Sequence, residues 1–416
     1  MPREQIRKKN VRSQLPWGCS IVRRHKSVVS PLPVTMGNAS TTRLVFIDNL
    51  RVFLTMLVVA HHAAQPYGPT GGAWPIFNPE RAAILGPFFA VNAAFFMGLF
   101  FLISGYLLPA AYDRKGPRQF LIARFQRLGL PLLFFSLAVF PWVLYRLTAQ
   151  SGSFWAFVVQ AYVRPLTIEV AHLWFLAHLL FYAVCYILWR QAGGERKLLA
   201  TVSLRRLCAP GHGAILTYLL SLTVVTFMVR INYPIDRWVR LFGCLPTEVA
   251  HLPQYLSLLG VGIVAYRYSW LSQISRAQGF TWLRVGLGAA LLRYTYSLGR
   301  ERLFGVDILA GGGWDWRSAV WSGWEATICV GLCLGLLILF REKVDVQGKF
   351  MRVLSSNAYG VYLIHLLIIL YLQLTIADVP MAPLVKFGWV TLMGIPLCFG
   401  CSALLRRLPF VRMVVP

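Results

Sequence analysis

Charged residues are scarce in this sequence: they make up 13% of its 416 residues, whereas a soluble domain carries roughly 25%. Acidic residues are the scarcest, with 15 Asp and Glu against 41 Lys and Arg, which gives a formal net charge of +26. Such a balance suggests nucleic acid in a soluble protein, but the chain has no polar stretch long enough to form a basic soluble domain. The segment near 191–213 is too short to fold alone. We therefore exclude a nucleic-acid partner.

Cysteine is also sparse, and its eight copies are spread singly along the chain. Cys398 and Cys401 have CxxC spacing but fall in an apolar stretch, so buried free thiols are the simpler interpretation. No set of Cys and His has zinc-finger spacing, and we predict no metal site. The two halves show no internal repeat, which weighs against a transporter built from repeated halves.

What the sequence has instead is long apolar runs, with 57% hydrophobic residues overall. A helix needs roughly 20 apolar residues to cross a bilayer. By this measure we predict an all-α integral membrane protein with about ten transmembrane helices, at 44–66, 83–109, 128–147, 172–190, 214–230, 252–270, 280–298, 319–340, 356–376 and 384–405. The segment 153–163 is too short to span and reads as an interfacial or re-entrant helix.

The basic residues orient these helices. With the N-terminus inside, 30 of the 41 Lys and Arg fall on the cytoplasmic side and 11 outside, the bias that the positive-inside rule requires. We therefore predict that both termini are cytoplasmic: a basic, disordered tail at 1–43, a membrane domain at 44–405 and a short tail at 406–416. The tail has no clear signal-peptide cleavage site, and Met36 is an alternative start.

The first predicted helix contains charged and polar residues that are costly in lipid and are therefore candidates for function. Asp48 and Arg51 stand near its start, and the doublet His61-His62 stands near its end. A helix turns 100° per residue, so Arg51 and His62 share a face to within about 20°, whereas His61 points about 80° away. The rise of about 16 Å places His62 near mid-membrane. This stripe suits a tunnel from the cytosol; a structural hydrogen-bonding role for His62 is the alternative.

A basic segment follows the second predicted helix. Its Arg124 and Arg127 are three residues apart and therefore neighbours on one helix face. Paired guanidinium groups suit phosphate, which they bind by bidentate hydrogen bonds. The ordinary alternative is the positive flank of a membrane helix.

Two further segments contain residues of interest. His365 lies about ten residues into the ninth predicted helix, one turn after Tyr362, and His172 lies at the outer end of the fourth. We keep His365 as a supporting residue, although a buried histidine in such a helix is usually structural. The tryptophan-rich external segment 311–328 is better explained as an interfacial aromatic belt than as a sugar-binding platform.

Together these segments resemble the membrane-bound acyltransferase-3 family over about residues 43–405. The first helix resembles its signature of an arginine and a histidine separated by ten residues, here Arg51 and His62. The remaining matches are Ser104-Gly105-Tyr106 in the second helix, Arg124-x-x-Arg127 followed by Pro131, HLWFL at 172–176 and YGVYLIH at 359–365.

The resemblance implies transfer of an acyl group, commonly acetyl, from acyl-coenzyme A to a hydroxyl, often on a carbohydrate or glycan, in the bacterial cytoplasmic (inner) membrane. A hydroxyl is a poor nucleophile and needs a base, and histidine is suited to this because its ordinary pKa is about 6.5. We therefore assign catalysis to His62 with Arg51, and binding of the donor's phosphates to Arg124 and Arg127. The supporting residues are Asp48, His61, Ser104 and His365.

Acyl-coenzyme A is then a donor substrate, and no bound cofactor is expected. The His61-His62 doublet departs from the simplest signature, and helical spacing favours His62. Three alternatives stay open: a polytopic transporter or flippase without acyl-transfer chemistry, a sensor subunit with an inactive acyltransferase fold, and a succinyl rather than acetyl donor.

Overall fold

The computed structural model describes residues 44–69, 74–148, 152–165, 168–195, 208–243, 245–303 and 310–408. The predicted tail at 1–43 lies outside the described residues, as do the residues after 408. Apolar runs fold into helices here because a chain in lipid must satisfy its backbone N–H and C=O groups within each segment. The predicted all-α integral membrane class is confirmed.

The helices are α1 (Val45–Ala64), α2 (Leu85–Arg124), α3 (Leu130–Phe134), α4 (Phe140–Leu147), α5 (Phe154–Val158), α6 (Trp174–Gln191), α7 (His212–Arg230), α8 (Leu252–Arg267), α9 (Trp270–Gln273), α10 (Arg276–Leu303), α11 (Trp316–Lys343), α12 (Lys349–Thr375) and α13 (Pro383–Leu405). Short 3-10 helices occupy Gln65–Tyr67, Ala171–Leu173 and Val249–His251, and π-helical turns occupy Phe125–Gly129, Phe135–Val139 and Val159–Val163. Strands β1 (Trp238–Leu241) and β2 (Leu245–Glu248) form an antiparallel pair in which Trp238 lies opposite Glu248.

Eight helical runs of the described chain are long and apolar enough to cross a membrane: Val45–Tyr67, Leu85–Leu147, Ala171–Gln191, His212–Arg230, Val249–Arg267, Trp316–Lys343, Lys349–Thr375 and Pro383–Leu405. This number is smaller than the predicted count of about ten for two reasons. Two predicted spans, 83–109 and 128–147, fall in the single run Leu85–Leu147. The predicted span 280–298 forms part of α10, which is not among the eight because arginines interrupt its apolar sequence.

The long run Leu85–Leu147 reverses direction at Gly116. This residue has φ 71° and ψ 169°, a conformation that glycine adopts without steric cost, and Pro117 follows it. Leu85 belongs to the same buried cluster as Tyr67 at the end of α1, and Leu147 packs against the same small cluster as Trp74 just beyond it. The run therefore goes down and returns to the same end of the bundle, as two predicted spans require.

The segment Phe154–Val163 is helical and too short to cross a membrane. Its placement at an interface stays a prediction.

A close crossing of two helices in the core joins α2 to α8. A Cβ atom on Gly105 would lie 2.1 Å from the carbonyl oxygen of Leu259, and one on Gly262 would lie 2.3 Å from that of Leu102. Such contact between backbones is the usual role of small residues between membrane helices. On the other side of the bundle, α12 packs against both α1 and α13, and this contact positions the candidate site.

Candidate active site

Two histidines from separate helices meet inside the bundle. His62 lies near the end of α1, and His365 lies in α12, where it is fully buried. Their ring centroids are 4.9 Å apart, and His62 Nδ1 lies 3.0 Å from His365 Nε2. We call His62 and His365 the histidine pair.

The surroundings of His365 determine where the protons lie in the histidine pair. His365 Nδ1 lies 2.8 Å from the carbonyl oxygen of Tyr362, which only accepts hydrogen bonds, so this nitrogen bears a proton. In a neutral ring, His365 Nε2 then accepts a hydrogen bond from His62 Nδ1. The lone pair of a neutral His62 is therefore on Nε2. The backbone of Val58, one turn earlier in α1, also forms a hydrogen bond with the His62 ring.

A third histidine shares the Tyr362 carbonyl. His172 Nε2 lies 3.0 Å from this oxygen, and the His172 ring meets that of His365 edge to face at 4.6 Å. In return, the Tyr362 hydroxyl donates to the carbonyl oxygen of His172 at 2.5 Å. His172 was not among the predicted site residues. The HLWFL segment was its signal, but nothing in that segment indicated contact with α12.

Two other residues beside His62 were missed. The Trp74 ring stacks on His62 with centroids 5.7 Å apart and planes 19° apart, and its Nε1 donates to Gln373 Oε1 at 3.0 Å. Gln373 Nε2 in turn donates to the carbonyl oxygens of His62 and Ala63, at 3.0 and 3.2 Å. A lone tryptophan in a loop and a lone glutamine in an apolar helix form no sequence pattern that indicates a site.

The histidine pair lies toward one end of the bundle. Within the apolar span Val45–Tyr67, His62 stands five residues from the end that faces Trp74 and His172. The predicted position of His62 near mid-membrane stays a prediction.

His61 faces a different helix from His62. Its ring lies among the aromatic side chains of α2, with centroid distances of 6.3 Å to Phe88, 5.2 Å to Phe89 and 5.1 Å to Phe96. The two rings of the doublet meet edge to face at 5.7 Å. His61 thus packs against apolar rings, whereas His62 joins a hydrogen-bonded chain.

The opposite end of α1 carries Asp48 and Arg51, which form an ion pair at 3.6 Å. Asn49, in the same turn, donates to the carbonyl oxygens of Val344 and Val346 at 2.6 and 3.1 Å. These bonds fix the start of α1 to the segment between α11 and α12. Since about 16 Å of helix rise separates Arg51 from His62, Arg51 stands at the far end of the helix from the histidine pair.

Arg124 and Arg127, which we call the arginine pair, lie where α2 passes into a π-helical turn. The Arg124 guanidinium covers the ring of Phe120 at 5.1 Å, and that of Arg127 covers the ring of Tyr359 at 5.4 Å. The Tyr359 hydroxyl donates to the carbonyl oxygen of Arg127. Within the described chain, no carboxylate lies within 4.0 Å of either guanidinium, so the arginine pair can accept an anion.

Helix α12 connects the arginine pair with the histidine pair. Tyr359 contacts Arg127, Tyr362 contacts His172, and His365 contacts His62. The rise from Tyr359 to His365 is about 9 Å. The segment YGVYLIH of this one helix therefore contacts both the arginine pair and the histidine pair.

Ser104 lies beside the crossing of α2 and α8. No hydrogen bond among the described residues joins it to the histidine pair. The close approach of α8 at Gly105 explains why the Ser-Gly-Tyr segment has a glycine at this position.

A separate group of buried ionisable side chains was not predicted. His251 Nε2 lies 2.6 Å from Glu325 and its Nδ1 lies 3.0 Å from Glu248, while Arg230 pairs with Glu325 at 2.7 Å. Both ring nitrogens face carboxylates, which only accept, so His251 bears two protons and the four charges balance. Burial alone would raise the pKa of Glu248, but the charge and hydrogen bond of His251 hold that pKa below its usual value.

An apolar cavity of about 290 Å³ lies between α2, α7, α8 and α11. Its lining includes Leu102, Ile215, Leu258 and Leu337, and it contains none of the candidate residues. Among the described residues, no group of three or more His, Cys, Asp or Glu is arranged to hold a metal ion.

The fold and the site together define a multi-pass membrane protein with a polar, histidine-centred site enclosed by its helices. The profile of a family described as an acyltransferase domain matches residues 44–406. The chain therefore belongs to the membrane-bound acyltransferase-3 family. No curated protein and no solved structure matches it.

Proposed function

We propose that this membrane acyltransferase moves an acyl group, specifically acetyl, from acyl-coenzyme A to a hydroxyl group of a carbohydrate or glycan. The observation that carries the proposal is the chain from the Tyr362 carbonyl through His365 to His62, because it leaves a lone pair on His62 Nε2. A nitrogen fixed in this way suits a general base.

The proposed reaction proceeds in one transfer. His62 Nε2 takes the proton of the acceptor hydroxyl as the oxygen attacks the thioester carbonyl. The new C–O bond forms, the C–S bond breaks, and the proton passes to the thiolate of coenzyme A. Throughout, His365 holds His62 Nδ1–H in place.

The donor is proposed to enter at the arginine pair. Phosphate groups of coenzyme A would bind the guanidiniums of Arg124 and Arg127, which suit phosphate geometry. The pantetheine arm would then extend along α12 toward His365 and His62, with Asp48 and Arg51 at the cytosolic mouth of the path. The acceptor would arrive from the end of the bundle that carries Trp74.

The proposed setting is the bacterial inner membrane, with both termini in the cytoplasm. This orientation places the arginine pair on the side where acyl-coenzyme A is found. It is supported by the distribution of Lys and Arg along the sequence.

The test uses membranes that contain the full-length protein and retain the native acceptor, supplied with acetyl-coenzyme A labelled in the acetyl group. Release of free thiol and incorporation of label into non-protein material are measured at equal protein abundance. We expect His62→Ala to lower the rate by about 10²–10⁴-fold, the usual contribution of a general base. His61→Ala is the matched control and should lose much less, because its ring packs against α2.

Two variants of His365 refine the test. Gln in this position retains an oxygen that accepts from His62 Nδ1, whereas Leu does not, so H365Q should keep more activity than H365L. Wild-type activity in His62→Ala, or a larger loss in His61→Ala, would remove His62 from the mechanism. Absence of thiol release by the wild-type protein would favour the transporter or flippase alternative.

A further inference from the structure

We infer that Gln373 is a positioning residue that orients His62 by holding Trp74 against its ring. The inference rests on the proposed function, because it concerns the base of that reaction. It derives from three hydrogen bonds that converge on one fully buried amide.

The end of α1 has a backbone defect at Pro66. In an uninterrupted helix, the N–H of residue 66 would donate to the carbonyl oxygen of His62, but proline has no N–H. This oxygen accepts from the Gln65 N–H instead. Gln373 Nε2 adds a second donor to this oxygen at 3.0 Å and also donates to the carbonyl oxygen of Ala63 at 3.2 Å. The side chain of α12 therefore fixes the turn of α1 from which the His62 ring projects.

The other end of the same amide holds Trp74. Its Oε1 accepts from Trp74 Nε1 at 3.0 Å. Because an indole N–H only donates and a carbonyl oxygen only accepts, a flip of the Gln373 amide would break all three bonds. The amide therefore has one orientation, and it sets the height and tilt of the Trp74 ring over His62.

The loop that carries Trp74 is anchored at two further places. Trp74 packs against the buried residues Ile76, Leu366 and Leu370, which keeps its ring beside α12. Farther along the loop, buried Lys386 donates to Asn78 Oδ1 at 3.0 Å and to the carbonyl oxygen of Ala377 at 2.8 Å. The Trp74 ring is thus held by packing and hydrogen bonds together.

These contacts restrict how a substrate can meet His62. Trp74 covers one face of the ring, and His365 occupies the Nδ1 edge. The hydroxyl of an acceptor must therefore approach Nε2 close to the ring plane. Loss of the Gln373 amide would let the ring turn and would uncover its face.

The experiment measures the chemical reactivity of His62 independently of acyl transfer. Diethyl pyrocarbonate is applied to the purified full-length protein, and carbethoxylation of each histidine is followed by peptide mass spectrometry. Exposed His212 serves as the internal reference. The variants are Gln373→Met, which keeps side-chain length without hydrogen bonds, and Trp74→Phe, which keeps a ring without the N–H donor.

Two controls match these substitutions. Thr375→Val changes an exposed residue at the end of the same helix, and Trp142→Phe changes an exposed tryptophan elsewhere. We expect the rate at His62, relative to His212, to rise several-fold in Gln373→Met and less in Trp74→Phe, with no change in the controls. In the transfer assay, kcat should fall by about tenfold to a hundredfold in Gln373→Met while the donor KM holds, the effect of a small misplacement.

The outcomes are distinguishable. Unchanged carbethoxylation of His62 in Gln373→Met and Trp74→Phe would overturn the inference, whatever the activities. Altered carbethoxylation in a protein that shows no acyl transfer would retain the positioning role and reject the proposed function. If Gln373→Met is not recovered as a monodisperse protein, the carbethoxylation rate of His62 in Trp74→Phe tests the inference instead.

Discussion

At the scale of single residues, hydrogen-bonding direction distinguishes the histidines from one another. His62 donates from Nδ1 and keeps a lone pair on Nε2, because His365 is committed to the Tyr362 carbonyl. His172 donates to the same carbonyl, and His61 packs among phenylalanines. These four neighbouring histidines therefore differ in which ring nitrogens can donate or accept a hydrogen bond.

The arginine pair is tested by single substitutions to alanine. We expect Arg124→Ala and Arg127→Ala to raise the donor KM by about tenfold or more, since hydrogen bonds to charged groups are worth roughly 1.5–3 kcal/mol. The measurement is the dependence of thiol release on acetyl-coenzyme A concentration. Arg118→Ala, an exposed arginine in the same basic segment, is the control. If all three variants have the same donor KM as the wild type, the arginine pair does not bind the donor and serves only as the positive flank that orients the helix.

Residue-scale prediction from sequence worked where helical spacing or a motif supplied a rule. The spacing of His61 and His62 separated their directions, and YGVYLIH pointed to His365. Contact between His365 and His62 depends on how α12 packs against α1, which no local pattern specifies. Trp74 and Gln373 belong to no motif, so their roles emerged only from the packed structure.

At the scale of elements, the crossing of α2 and α8 depends on glycine. Each helix brings its backbone against the other at Gly105 and Gly262, with no room for a side chain. The sequence contained the Ser-Gly-Tyr segment but did not indicate which helix Gly105 would meet. The helices themselves were predictable, because apolar runs of this length in a membrane fold as helices.

The crossing predicts a sharp contrast between two glycines of α8. In Gly262→Ala, the new methyl group would lie 2.3 Å from the Leu102 carbonyl oxygen and 2.7 Å from the Tyr106 nitrogen, both backbone atoms. We expect a destabilisation of about 1–3 kcal/mol, as for other overpacked sites. Gly260→Ala is the control, because its methyl group would meet nothing within 4 Å. Thermal unfolding of the detergent-solubilised proteins measures both, and equal midpoints would contradict the crossing.

At the scale of the whole molecule, charge is distributed very unevenly. The basic residues predict orientation, while the buried ionisable group around His251 balances its own charges inside the bundle. Sequence composition predicted the membrane class correctly, because the hydrophobicity of the chain is averaged over many residues. The number of separate spans was less predictable, since Gly116 joins two of them and the arginines of α10 reduce its apolar character.

Orientation is tested by reporter fusions to the full chain. Fusions after residues 150 and 378 should report the external side, and fusions after residues 118, 200 and 348 should report the cytoplasm. The reason is the excess of Lys and Arg in the latter segments. A reversed signal at any of the five positions would contradict the predicted topology and place the arginine pair away from the cytosolic donor.

The histidine pair ends on a main-chain carbonyl rather than on a carboxylate, and this affects how turnover proceeds. In a Ser-His-Asp triad, a buried acid stabilises the imidazolium that forms during reaction. In the described part of this protein, no Asp or Glu lies within 4.0 Å of the rings of His62, His172 or His365. In the proposed reaction, a proton taken up by His62 would be compensated only by dipoles and would readily be lost to the departing thiolate. The proposed mechanism would thereby link bond formation to the acceptor with departure of coenzyme A, and the resting site would return to neutrality after every cycle.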